Sequence, residues 1–347
     1  MEINKLIRKN IAEMQPYSSA RSEFEAFDQQ MIFLDANENP FENGVNRYPD
    51  TEQRQLKEAL SVIKKVPVSQ ILLGNGSDEV LDLLFRAFCE PNKDNIITLP
   101  PTYGMYDVLA NLNAIENKEI LLTKEFDPNI PEIIENIDTN TKIIFLCSPN
   151  NPTGNSFSNE TIIALLESFK GLVVLDEAYI DFSDSESWLR KLDKYANLVI
   201  IQTLSKAYGM AGIRLGILYA STSIISVLTK IKPPYNLNIL TQSKALERLS
   251  QKKSFSTEVS TIKRSKDKLS KQLLEVNFVL KIYPSDANFL LIKVDNADFR
   301  YRQLTEKGIV IRNRSKNQLC HNCLRITIGT DDENSQLINT LKSLTND

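Results

Sequence analysis

One lysine stands where an amine would have work to do. Lys206 lies in Thr203-Leu204-Ser205-Lys206-Ala207-Tyr208-Gly209-Met210-Ala211-Gly212-Ile213-Arg214, beyond an apolar run at 198–201 that reads as a buried strand. A neutral amine in a confined pocket can attack a carbonyl carbon. Ser205 and Arg214 offer a hydroxyl and a guanidinium fork to an anion beside it. A carbonyl compound that also carries a phosphate would use all three. The stretch reads equally well as a loop with a surface lysine, so other stretches have to decide.

Four do. Gly74-Asn75-Gly76-Ser77-Asp78-Glu79 follows a strand predicted over 71–73 and opens a helix predicted over 77–90. Its glycines allow a tight turn, and the N–H groups of a helix start bind phosphate. Glu79 stands where the dinucleotide fingerprint has its third glycine, so a plain strand-to-helix turn competes. Tyr103, in Pro100-Pro101-Thr102-Tyr103-Gly104, offers a ring to stack on another ring, or a core contact. Ser148-Pro149-Asn150-Asn151-Pro152-Thr153-Gly154 is a stiff polar turn, with Asn151 a donor to a ring oxygen. In Asp176-Glu177-Ala178-Tyr179, an acid closes a buried strand, which is costly unless the acid is paired. A pyridinium N–H is a fitting partner for Asp176, and Tyr179 a second ring-oxygen donor; a helix N-cap is the competing use. Together the stretches supply a phosphate cup, a stacking ring, ring-oxygen donors, a nitrogen partner and an amine. Those are the needs of pyridoxal 5'-phosphate.

The elements that must hold these residues alternate. Strands are predicted over 71–73, 95–99, 118–122, 142–147, 171–176, 197–202 and 214–220, with helices over 51–65, 77–90 and 158–169. This is an α/β pattern: a mainly parallel seven-stranded sheet with helices on both faces. Each motif from Gly74 to Lys206 follows a strand, where open α/β sheets bind ligands. Upstream, 32–34 reads as a short strand turning at Asn37-Glu38-Asn39-Pro40. Downstream, 238–275 reads as one or two long helices. Strands over 278–283, 287–293, 309–312 and 324–328, with helices over 297–307 and 332–345, form a small C-terminal α+β domain. The expected division is an arm over 1–30 packing near the small domain, a large cofactor-binding domain over 31–255 and the small domain over 256–347.

Composition excludes several classes. The 347 residues are 42% hydrophobic and 24% charged, an ordinary globular balance. A net charge of −3 gives no reason to expect nucleic acid or an anionic membrane as partner. Met1-Glu2-Ile3-Asn4-Lys5 begins no apolar secretion signal, and no apolar run reaches membrane-span length. The expected location is the cytoplasm. Cys320-His321-Asn322-Cys323 has no second cysteine pair, so a loop beside a strand is favoured over a metal site, and no metal is expected. His321 is the one histidine, far in sequence from Lys206, which leaves proton transfer to the lysine itself.

The chain resembles the fold-type I PLP-dependent transferases, and most closely the class II histidinol-phosphate aminotransferase family. The likeness runs from about Tyr17 to Gly329. It is carried by Asn37-Glu38-Asn39-Pro40, Arg47-Tyr48-Pro49, the run at 100–106, Asn150-Asn151-Pro152-Thr153-Gly154, Asp176-Glu177-Ala178-Tyr179, Ser205-Lys206 and Leu324-Arg325-Ile326-Thr327-Ile328-Gly329. The resemblance implies that Lys206 carries the cofactor. Asp176 faces the ring nitrogen, Asn151 and Tyr179 the ring hydroxyl, and Tyr103 stacks. Ser77, Asp78, Ser205 and Arg214 surround the phosphate, and Tyr48 reaches it from the other subunit of a homodimer. Tyr17, Asn37, Arg312 and Arg325 are implied to bind substrate. The implied reaction exchanges the amino group of L-histidinol phosphate with 2-oxoglutarate, giving glutamate, in histidine biosynthesis. Rivals are an aromatic amino-acid aminotransferase, a PLP-dependent threonine-phosphate decarboxylase and a PLP-binding transcription regulator. The last would need a DNA-binding domain for which the 36 residues before Asn37 are too few. Arg312 ends one predicted strand and Arg325 begins another; antiparallel pairing would bring them together as a phosphate-selecting pair, with Arg314 the competing second cation. Residues 313–323 fit no pattern.

Overall fold

The computed structural model describes residues 3–17 and 32–344. Strands β1 (Ile71–Asn75), β2 (Asn95–Thr98), β3 (Glu116–Glu119), β4 (Thr141–Cys147), β5 (Leu172–Asp176), β6 (Leu198–Thr203) and β7 (Leu215–Ala220) make one mostly parallel sheet. Its order is β1-β7-β6-β5-β4-β2-β3. Strand β7 runs antiparallel to both neighbours. A second, antiparallel sheet contains β8 (Val279–Ile282), β9 (Phe289–Val294), β10 (Arg312–Asn313) and β11 (Cys323–Thr327), in the order β10-β11-β9-β8. By contacts the chain divides into two compact units. One holds Met1–Asn95, Leu109–Glu116 and Trp188–Lys252; the other holds Ile96–Val108, Asn117–Ser187 and Lys253–Asp347.

In the first unit, β6 and β7 are buried along their whole length. That explains their unbroken apolar runs: a strand covered on both faces needs no polar alternation. Helix Gly76–Phe88 packs on β1, β6 and β7 through a face that includes Val80, Leu81, Leu84, Phe85 and Phe88. Helix Arg54–Lys64, predicted as 51–65, buries Leu56 and Leu60. The described part of the arm is tied to this unit. Arg8 pairs with Glu90 at 3.2 Å, its backbone N–H reaches the Ala87 carbonyl at 3.0 Å, and Lys230 Nζ donates to the Ile11 and Ala12 carbonyls. Ile3 and Ile11 are buried here; arm residues 18–30 lie outside the described residues. The strand expected over 32–34 does not form. Ile32 and Leu34 are 89% and 87% exposed, and among the described residues no strand pairs with them.

In the second unit, β4 and β5 pair in parallel with Cys147 opposite Asp176. The small sheet buries one face, with Leu290, Ile292, Leu324 and Ile326 packed against Leu337 and Ile338. The strand expected over 309–312 shrinks to two residues. After Gly308, at φ +80°, the chain closes the end of helix Ala297–Glu306, and Ile309 N–H bonds back to the Leu304 carbonyl at 2.9 Å. β3 lies about two residues upstream of its predicted place. The long helical region is two helices, Ile239–Ser250 and Lys252–Leu273, parted at Gln251.

Candidate active site

In the first unit the anion-binding candidates converge at one edge. Helix Gly76–Phe88 starts from Gly76 at φ 78°, and the Gly76 N–H donates to the Arg214 carbonyl at 2.9 Å. A Cβ on Gly76 would lie 2.5 Å from an Arg214 guanidinium nitrogen, and one on Gly216 would lie 2.3 Å from the Gly76 carbonyl carbon. The two glycines are therefore what let Arg214 and the helix start approach each other. Arg214 itself has a left-handed backbone, φ 56°, and its guanidinium stands 3.5 Å from Asp78 Oδ2. Ser77 and Asp78 occupy the first helical turn, where backbone N–H groups lack intrahelical partners.

Lys206 follows from how β6 ends. Thr203 Oγ1 donates to the Leu215 carbonyl at 3.0 Å and accepts from Ser205 N–H at 3.1 Å. Met210 N–H returns to the Leu204 carbonyl, and Gly209, at φ 69°, donates to the Lys206 carbonyl at 2.9 Å. This tight turn leaves Ser205 half-buried and presents the Lys206 side chain outward. Tyr48 stacks on Tyr235 with ring centres 4.4 Å apart and is half exposed. Its segment is clamped by Glu38, which accepts from Arg47 Nη1 and from Tyr48 N–H, each at 2.7 Å. Tyr17 and Asn37 are exposed, and among the described residues no hydrogen bond ties either to the Lys206 turn.

The second unit holds the other candidates. Asp176 is 3% exposed; its Oδ2 accepts from Tyr106 Oη at 2.8 Å and its Oδ1 from Ala178 N–H at 3.0 Å. Tyr106 is fully enclosed, stacked on Phe145 at 4.7 Å and edge-on to Tyr103 at 5.5 Å. Burial, then the Asp176 carboxylate, pushes both the Tyr106 hydroxyl and the Cys147 thiol upward, so each stays protonated beside the acid. Asn150 and Asn151 divide their work. Asn150 is fully buried and laces two loops, donating to the Pro101 carbonyl at 2.9 Å and to Thr153 Oγ1 at 2.7 Å while accepting from Thr102 Oγ1. Asn151 Oδ1 accepts from Arg325 Nη1 at 2.5 Å, which leaves its amide N–H₂ as the donor. Tyr179 is 7% exposed and edge-on to Phe289; burial and Cys147 raise its hydroxyl, against Arg325 and Arg314, so it too is a donor.

Three arginines share one face of the small sheet. Arg312 is the direct cross-strand partner of Arg325, as antiparallel pairing required, although Arg325 sits in the middle of β11 and not at its start. The Arg314 N–H extends the ladder to the Cys323 carbonyl at 2.8 Å, two positions on from Arg312. Arg325 lies over the Phe289 ring, 5.2 Å from its centre. The Nε atoms of Arg314 and Arg325 are buried with no hydrogen-bond partner. Burial first, then repulsion from a neighbouring guanidinium, lowers both groups: Arg312 acts on Arg314, and Arg314 on Arg325. Arg312 is exposed, and with Arg325 it borders a cavity of about 640 Å³ whose apolar wall includes Ile311, Ile328 and Leu337. Cys320 and Cys323 are buried, joined by a turn in which Cys323 N–H donates to the Cys320 carbonyl at 3.0 Å. Among the described residues no cluster could hold a metal ion, and no helix is long and apolar enough to cross a membrane.

Sequence reasoning missed Tyr106, the Asn150 lacing and the Glu38 clamp. Tyr106 had a signal: three positions past Tyr103, it starts the buried side of helix Met105–Leu112.

A family model described as aminotransferase class I and II matches residues 32–341. The chain belongs to this family. A histidinol-phosphate aminotransferase of Flavobacterium johnsoniae is 66% identical over 344 residues, covering 99% of each chain. Among solved structures of this aminotransferase fold, a histidinol-phosphate aminotransferase from Clostridium acetobutylicum superposes with TM-score 0.79 at 24% identity, covering 86% of this chain and 90% of that one. Another, from Sinorhizobium meliloti in complex with pyridoxal-5'-phosphate, gives TM-score 0.77 at 21% identity, covering 85% and 82%.

Proposed function

We propose that the protein is a histidinol-phosphate aminotransferase that uses pyridoxal 5'-phosphate, working as a cytoplasmic homodimer with a large domain over 31–255 and a small one over 256–347. The observation that carries the reading is full-length identity of 66% to a curated enzyme of that name. The residues fit the cofactor: a glycine-built cradle at a helix start beside Arg214, and a buried carboxylate whose partners leave acceptor capacity. Bound there, the cofactor would supply an aldehyde for the exchanged amine and a protonated ring that stabilises negative charge on the neighbouring carbon.

The protein's own groups do the rest. The N–H groups of Ser77 and Asp78, with Ser205 and Arg214, hold the phosphate, and Tyr48 of a second copy adds to it. Asp176 keeps the ring nitrogen protonated, and its charge is held by Tyr106 and the Ala178 N–H. Asn151 and Tyr179 donate to the ring hydroxyl, and Tyr103 stacks on the ring. Lys206 Nζ would anchor the cofactor and, once the substrate amine takes its place, would be the base that moves the proton of the amine-bearing carbon. Arg325 takes the anionic end of each substrate, with Arg312 across the strand pair; Tyr17 and Asn37 cover the substrate. Support for a dimer lies in residues 32–48, where Ile32, Leu34 and Phe41 are each at least 80% exposed on one clamped segment. The test is glutamate formation from histidinol phosphate and 2-oxoglutarate, against a panel of aromatic amino acids. Preference for an aromatic amino acid, or carbon dioxide release without any need for an oxo acid, overturns the reading.

A further inference from the structure

One buried cation has no part in the chemistry above. Lys232 is 6% exposed, and its ammonium donates to three neutral oxygens, the Thr51 and Pro233 carbonyls and Asn236 Oδ1, each at 3.3 Å. Among the described residues no carboxylate forms an ion pair with it. A buried charge facing only neutral groups keeps a desolvation penalty that an ion pair would offset. Asn236 carries the network onward with every donor and acceptor it has. Its Oδ1 also accepts from Gln53 Nε2 at 3.3 Å, and its Nδ2 donates to the Leu73 carbonyl at 3.0 Å and to Glu79 Oε2 at 2.8 Å. Glu79 Oε2 also accepts from the Asn75 N–H at 2.5 Å. The bonds thus run from Lys232 through Asn236 and Glu79 to the turn that joins β1 to helix Gly76–Phe88. Nearby, Gln53 holds a left-handed backbone, φ 49°, and Gln53 Oε1 and Thr51 Oγ1 are buried with no hydrogen-bond partner among the described residues. Strain and unsatisfied groups of this kind collect where function sets the structure.

We propose that Lys232 and Asn236 are positioning residues for the cofactor phosphate: acting through Glu79, they hold the Gly74–Ser77 turn in the shape that sets its N–H groups beside Arg214. The inference rests on the aminotransferase reading above and names what keeps its phosphate cup preformed. Glu79 stands where the dinucleotide fingerprint has a glycine, and the network gives that departure a use. Its carboxylate takes the Asn75 N–H, while the N–H groups of Ser77 and Asp78 are those assigned to the phosphate. Gly74 makes room for this: a Cβ there would lie 3.0 Å from Glu79 Oε2 and 2.5 Å from Val80 Cγ1. A cup held in place before the anion arrives avoids the cost of ordering it on binding.

The experiment uses the full-length protein freed of cofactor, with the variants Asn236→Ala, Lys232→Met and Glu79→Gln. Each is titrated with pyridoxal 5'-phosphate and with pyridoxal, which has the same aldehyde and ring but no phosphate, and binding is read from the long-wavelength absorbance. Asn236→Ala and Lys232→Met are expected to raise Kd for pyridoxal 5'-phosphate by roughly 10- to 100-fold, and for pyridoxal by less than about 3-fold. A merely structural loss would weaken both aldehydes alike. Glu79→Gln leaves the Asn75 N–H and the Asn236 amide a single neutral acceptor to share, so it should move the ratio of the two Kd values in the same direction. In parallel, inorganic phosphate is titrated against the melting temperature, and it should stabilise wild type more than Asn236→Ala or Lys232→Met. Equal losses on the two aldehydes, or a ratio within about threefold of wild type in Asn236→Ala and Lys232→Met, overturn the proposal. If neither of those variants folds, Glu79→Gln decides, and a ratio unchanged from wild type overturns it. A wild type that binds neither aldehyde would instead sink the cofactor reading. The phosphate titration would still judge the cup: a wild-type shift that is absent, or matched in the variants, overturns the positioning role.

Discussion

Replacing Arg325 by lysine keeps the charge and removes the fork. Among the described residues Arg325 donates from Nη1 to Asn151 Oδ1, holds an unpartnered buried Nε, and lies over the Phe289 ring. Lysine is a point charge on a flexible stem and cannot serve Asn151 and a two-oxygen anion at once. The lost charge-assisted hydrogen bond costs about 1.5–3 kcal/mol. At about 1.4 kcal/mol per tenfold, kcat/KM should fall roughly 10- to 150-fold. Both half-reactions should suffer, because the proposal gives Arg325 the anionic end of every substrate. A second effect follows from Asn151: without its tether, the amide loses the orientation that turns its N–H₂ to the ring hydroxyl, and the visible band of the bound cofactor should shift. Rapid-mixing kinetics of each half-reaction and the spectrum of the resting enzyme measure these effects. An Arg325→Lys enzyme within about threefold of wild type on both substrates, with an unmoved band, would refute the assigned role.

Lys206→Ala, loaded with pyridoxal phosphate, should lack the long-wavelength absorbance of wild type and turn over neither substrate; retention of that band on dialysis contradicts the assignment of Lys206. Asp176→Asn should still bind cofactor but lose most turnover, whereas Tyr106→Phe, which removes a hydroxyl donor to the same carboxylate, should lie between it and wild type; an order reversed in kcat counts against Asp176 as the charge that matters. Arg300 holds the Asp295 carboxyl below its usual range. The folded pKa is depressed, so this stabilisation is present above the unfolded aspartate value of about 3.9 and is lost as pH falls through the folded one. Melting temperatures of Asp295→Asn should therefore change less than those of wild type as the pH is lowered through that window, and parallel acid limbs would disprove the linkage.

Strands such as β6 and β7 were legible because they are buried on both faces, whereas β3, half-buried to exposed, was misplaced. Leu198–Thr203 and Leu215–Ala220 carry no polar alternation to mislead, and each is bounded by turn residues. The place of Lys206 just beyond such a strand was legible for the same reason, while the hydrogen bonds of Thr203 and Gly209 that shape its turn were not. The small sheet was harder. Arg312–Asn313 is a strand only through its pairing with β11, and Ile309 to Ile311, which look more strand-like, are drawn off to close the helix that Gly308 ends. Apolar propensity alone cannot show which of two neighbouring stretches finds a partner. Residues 32–34 fail in the same way: their composition suits a strand, and among the described residues none supplies the ladder. Tyr106 was hidden because a tyrosine at helical spacing from another reads as core, and it is core; only the 2.8 Å contact with Asp176 gives it a second task.

Segment 32–48 carries the argument one step further. Glu38 has a side chain only 3% exposed and binds both Arg47 and the Tyr48 backbone. Asn39 adds a bond from Phe41 N–H at 2.9 Å, and its carbonyl takes one from Asn46 at 3.1 Å. The backbone is thus held by a polar interior while Ile32, Leu34, Phe41 and Val45 face outward. A loop selected only for solubility would place its groups the other way round, since outward apolar side chains gain nothing from water. Fixed geometry with an apolar exterior is what a surface needs if another surface is to cover it without the cost of ordering a flexible loop. The same segment carries Tyr48, stacked on Tyr235 and still half exposed. In the proposed dimer, burial of the apolar side chains would hold the segment against a second copy, and the rigid clamp would set where the Tyr48 hydroxyl arrives.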